Sequence, residues 1–151
     1  MKAQSCVPLI LIIVAGCSRD PRIPELASAL GVVTYQGEPL ADATVTFVST
    51  ETEKGYQPGI GSTNDRGEFR IRSYEYDGAI VGSHKIVVFK LDASTLVIDP
   101  KTQKPVPMMD KRWKKPKLFI PAKYTQPEMS GLTAKVESGK KNQFTFELKD
   151  E

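Results

Sequence analysis

Histidine occurs once in this sequence, at His84, tryptophan once, at Trp113, and cysteine twice, at Cys6 and Cys17. A zinc site needs several His or Cys ligands, so none is expected. His84 stands among alternating apolar residues with no partner group apparent, which predicts a core or sheet-edge position rather than a general base. No serine lies in a Gly-x-Ser-x-Gly elbow. Asn64, Asp65 and Glu68, or Asp92 and Asp99, offer oxygens but not the spaced acidic ladder of a calcium loop. Helical periodicity with caps is missing throughout. Past residue 14 no apolar run is long enough to cross a bilayer. Together these absences predict a chain with no catalytic residues, no cofactor and no metal.

What is present begins at the N-terminus. Lys2 precedes an apolar run from Val7 to Val14, followed by the small residues Ala15 and Gly16 and then Cys17. A charged start, a short apolar core and a small-residue cleavage region form a secretory leader. The run falls short of the ~20 residues a permanent span requires. Val14-Ala15-Gly16-Cys17 resembles the lipobox of bacterial lipoproteins. That resemblance implies removal of residues 1–16 and lipidation of Cys17, which would anchor the exported protein in a membrane. Cys6 leaves with the leader, so no disulfide is expected. Ser18, where an Asp would retain such a protein at the inner membrane, implies the outer membrane. Residues 17–29, with Pro21 and Pro24, read as a tether, and ~10 extended residues reach about 35 Å at most.

From residue 30 the pattern is that of strands. Thr44-Val45-Thr46-Phe47-Val48 is rich in β-branched and aromatic residues. Phe69 and Ile71 alternate with charged neighbours, His84, Ile86 and Val88 fall on one side of a strand, and Leu132, Ala134 and Val136, then Phe144, Phe146 and Leu148, alternate with polar residues. Gly59–Thr63 is a weaker strand candidate. Gln36-Gly37, Asn64-Asp65-Arg66-Gly67 and Ser138-Gly139-Lys140 carry turn chemistry. Short strands between turn signals predict an all-β sandwich or small barrel. Phe47, Phe69, Phe144 and Phe146 are its expected large core side chains.

The run from Gly31 to Phe47, GVVTYQGEPLADATVTF, resembles the opening of a carboxypeptidase regulatory-like domain. Thr63-Asn64-Asp65-Arg66-Gly67-Glu68-Phe69 is similar to that family's second signature. Gly82-Ser83-His84-Lys85-Ile86-Val87-Val88 is similar to its third, with His84 where a tyrosine usually stands. Ile120-Pro121-Ala122-Lys123-Tyr124 and Ser130-Gly131-Leu132-Thr133 are similar to small bacterial lipoproteins that bear the domain. The resemblance implies a seven-strand Greek-key β-sandwich of transthyretin-like, Ig-like architecture over residues 30–150. It implies no activity. The hydroxyisourate hydrolases of the same fold use several histidines and a C-terminal Tyr-Arg-Gly-Ser, whereas this chain has one histidine and ends Lys149-Asp150-Glu151.

The segment 91–130 is too long for an idle connection in a compact domain. Between residues 101 and 117 it carries Lys101, Lys104, Lys111, Arg112, Lys114, Lys115 and Lys117 against one acid, Asp110. Trp113 lies among them, Met108 and Met109 precede it, and Pro100, Pro105, Pro107 and Pro116 stiffen it. Lys111, Arg112, Trp113, Lys114 and Lys115 are the candidate binding residues. They suit an anionic polymer, a lipid headgroup or an acidic protein face. The competing reading is a solvated charge run with Trp113 folded back as a rim plug. Nucleic acid is not an expected partner of an exported protein. The expectation is a lipid-anchored, non-catalytic envelope module for structure or protein interaction, or alternatively one that binds carbohydrate or an anionic polymer.

Overall fold

The computed structural model describes residues 22–150. The leader, Cys17 and residues 18–21 of the expected tether lie outside the described residues. Twelve strand segments occupy the described chain, and no α-helix does. They are β1 (Leu26–Ala27), β2 (Ala29–Tyr35), β3 (Glu38–Pro39), β4 (Thr44–Ser49), β5 (Gly59–Ser62), β6 (Glu68–Arg70), β7 (Arg72–Ser73), β8 (Tyr76–Asp77), β9 (Ala79–Ile80), β10 (Gly82–Phe89), β11 (Thr133–Val136) and β12 (Asn142–Leu148). The protein is all-β. Pairing already begins at Leu26, so residues 26–29, expected as tether, belong to the folded domain. Ala27 and Ala29 are buried there, which the small side chains of a Pro-flanked stretch did not announce.

One sheet has the order β11-β10-β4-β5-β7-β8, with β10 antiparallel to both β4 and β11. The other has the order β12-β2-β3, with β6 also paired to β2. Within it β12 runs parallel to β2, from Asn142 beside Ala29 to Leu148 beside Tyr35. The alternation of side chains places Val45, Phe47, Ile86, Val88 and Val136 of the first sheet inward, facing Val33, Phe69, Phe146 and Leu148 of the second. Phe47 is the hub of the core. Its ring meets Phe69, Phe144 and Phe146 at centroid distances of 6.2, 5.5 and 6.2 Å, and His84 at 5.6 Å. Edge-to-face and tilted contacts of this kind add to simple burial.

Glycine is required where backbones crowd. A Cβ on Gly31 would lie 2.1 Å from the Phe144 carbonyl oxygen, so the parallel pairing of β2 and β12 depends on its absence. At the Gln36-Gly37 turn both residues have positive φ, 53° and 86°, the geometry that suits a two-residue hairpin. The chain changes sheets at Ile71, whose amide bonds to the Ala29 carbonyl between β6 and β7.

A basic loop as candidate binding site

The long connection after β10 is built in tiers. At its base Leu91 bridges Leu118, Asp92 N–H donates to the Lys117 carbonyl, and Phe119 N–H donates to that of Lys90. Above this, Ile98 bridges Pro105, and the Asp99 and Val106 amides bond to the Lys104 and Val97 carbonyls. Asp99 shapes the turn by accepting from the amides of Lys101 and Thr102. Val106 is buried and pins the upper tier. The expected 91–130 loop is therefore shorter as a protrusion. Ile120 and Tyr124 join the core, and Tyr124 exchanges hydrogen bonds with the backbone of Lys149.

Arg112 joins two turns. Its Nη2 lies 2.8 Å from Asp99 Oδ2 and 2.7 Å from Asp110 Oδ2, and its Nε 3.0 Å from Asp110 Oδ1. The Asp110 carboxyl is pulled down to about 2, chiefly by the Arg112 side-chain bond and then by the Arg112 amide. Asp99 is lowered for the same first reason. Arg112 thus serves as an internal clamp, its charge matched by two carboxylates. Lys111, Lys114 and Lys115 are exposed, as are Lys101, Lys104 and Lys117. None of these six lysines forms an ion pair among the described residues. Trp113 is half-buried and stands outside the core cluster, held by its amide bond to the Asp110 carbonyl at 2.8 Å. Met109 is 97% exposed and Met108 75%.

The loop leaves the Phe89 end of β10. The chain arrives at the opposite end, where the Val81 amide bonds to Glu25 and Ser138 Oγ to the Glu25 carboxylate. Strand β10, eight residues long, separates the two poles by about 23 Å.

The other candidate sites resolve into structure. His84 is 2% exposed, and its Nε2 donates to the Ile80 carbonyl at 2.7 Å. Asn64 Oδ1 accepts from the amides of Arg66 and Glu68, and Glu68 takes bonds from Asn64 and Arg66, so this acidic group closes a turn. No cluster of three potential metal ligands occurs among the described residues. An open groove of about 650 Å³ between β6 and β12 is lined by Gly31, Ser62, Glu68 and Phe144, among others, with no histidine or cysteine. Its one carboxylate, Glu68, is held below the usual range by Asn64 and then Arg66. The groove formed where β6 and β12 flank β2, a long-range pairing the sequence did not reveal.

No family model matches the chain, and no curated protein compared with it matches. Among solved structures it is similar to a 9R-lipoxygenase from Cyanothece PCC8801, at 15% identity and a TM-score of 0.38. The likeness covers 83% of this chain and 16% of that one. It carries no argument about activity. No helix of the described residues is long and apolar enough to cross a membrane.

Proposed function

We propose that this protein is a lipid-anchored, non-catalytic module of the cell envelope, most simply of the outer membrane, whose basic loop is its contact element. The observation that carries the reading is the loop itself: six lysines, none in an ion pair among the described residues, on a protrusion that Arg112 holds in shape. Preorganisation lowers the ordering cost of docking. The seven-strand Greek-key, transthyretin-like assignment is part of the same proposal. Seven of the strand segments are three residues or longer, which supports it. Anchoring through Cys17 rests on the leader pattern.

Two measurements test the reading. Mass spectrometry of the N-terminus of envelope-purified protein should find Cys17 acylated and residues 1–16 gone. An unmodified Cys17 removes the anchor from the proposal. Crosslinking in the native envelope should give a product that is lost when Lys111, Lys114 and Lys115 are replaced by Glu. Retention of the same product at the same salt shows that the loop is not the contact element.

A further inference from the structure

The loop tip pairs two chemistries that a soluble surface seldom combines. Met108 and Met109 are 75% and 97% exposed. They stand in the turn closed by the Asp110 amide to the Pro107 carbonyl. Lys111, Lys114 and Lys115 follow at once in the chain. The Arg112–Asp99 bridge brings the turn holding Lys101 and Lys104 alongside. Asp110 and Asp99, the acids that would oppose an anionic surface here, are both occupied by Arg112.

Resting on the reading of the loop as the contact element, we infer that the tip seats on an anionic phospholipid surface. Met108 and Met109 enter the boundary between headgroups and acyl chains, and the lysines face the phosphates. Clusters of four to eight cations beside apolar side chains are what such surfaces attract. A purely polar polymer would leave both methionines uncovered. The base of the loop is about 23 Å from the pole where the chain arrives. The eight residues between Cys17 and Leu26 reach about 28 Å at most when extended, so both contacts can meet one bilayer with the domain lying along it.

Trp113 provides the readout, because it is the only tryptophan and sits in the loop. Its emission reports loop contact whatever the N-terminal segment does. The full chain is mixed at low salt with vesicles of phosphatidylcholine, with or without about one-third phosphatidylglycerol. The expected result is a blue shift of Trp113 emission on the phosphatidylglycerol vesicles alone, reversed by high salt. Met109→Glu should reduce the partition at least tenfold, as should joint replacement of Lys111, Lys114 and Lys115 by Glu. Neither change should alter the melting temperature, since these side chains are exposed. No shift on the anionic vesicles, or undiminished partition of either variant, overturns the inference. A shift produced by soluble polyglutamate but not by vesicles also overturns it, while leaving the loop as a contact element for an acidic protein or polymer.

Discussion

His84 is the one residue whose chemistry and position pull against each other. Its Nε2 donates to the Ile80 carbonyl, which places a ring proton there. Nδ1 has no hydrogen-bond partner and faces the core, against the Phe47 ring. Burial, the largest cause, pushes the His84 pKa below its ordinary 6.5, and the Ile80 carbonyl, the Phe47 backbone and the Glu51 charge only partly oppose it. The folded protein therefore resists a proton that the unfolded chain accepts. The His84 contribution is complete above about pH 6.5, declines as pH falls below that, and levels off beneath the folded value. His84→Phe keeps a ring against Phe47 and removes the titration. Urea midpoints measured at about pH 7.5 and about pH 5 should fall for the parent and stay closer together for the variant. An equal fall in both would assign the dependence to other groups. Asp110 occupies a separate window: its lowered pKa favours the fold above 3.8, and that contribution fades as pH drops through about 2.

Strand β12 tests the packing of whole elements, because its two faces meet different surroundings. Phe146 and Leu148 point inward, while Thr145 is exposed beside Val32 of β2. Phe69, opposite, stacks on Phe146 at 5.8 Å and is 4% exposed. Phe69→Ala should cost about 3–5 kcal/mol, and Thr145→Ala far less. Similar shifts of the chemical-denaturation midpoint would mean that the register is wrong. Gly31→Ala belongs to the same pairing and should cost about 1–3 kcal/mol, because the Phe144 carbonyl has no room to retreat from a Cβ. These inward series were legible in the sequence, since alternation with period two is local and needs no knowledge of partners. The Gln36-Gly37 and Gly67 turns were legible for the same reason. The parallel union of β2 with β12, more than a hundred residues apart, left no local trace. Nor did the two-residue strands β1 and β9, whose pairing is set by the fold around them. At the candidate site the lysines, Trp113 and the methionines could be read from composition. The role of Arg112 could not, because Asp99 lies 13 positions away and reaches it only through the tiers of the loop.

At the scale of the molecule, the loop joins the core through its paired base and should open separately from it. The sandwich holds its aromatic cluster between two sheets, while the loop is held at its base by the pairing of residues 90–92 with 117–119 and the Phe119–Tyr35 ring contact, and above it by buried Val106 and the Arg112 clamp. Local opening of such a unit proceeds without global unfolding. Arg112→Gln removes the cation between Asp99 and Asp110 and leaves two carboxylates facing each other. Exposed ion pairs contribute only about 0–1 kcal/mol, so the melting temperature of the domain should barely move. Hydrogen exchange should respond instead. The amides of Val106, Asp110 and Trp113, which close the loop turns, should exchange several-fold faster, while those of Ile86 and Val33 keep their protection. The variant should also hold its lysines in a wider spread of positions and dock more weakly, although no lysine has been changed. A large fall in melting temperature for Arg112→Gln would make the loop an integral part of the core. Unchanged exchange at Val106, Asp110 and Trp113 would instead show that buried Val106 and the backbone turns hold the loop without the clamp.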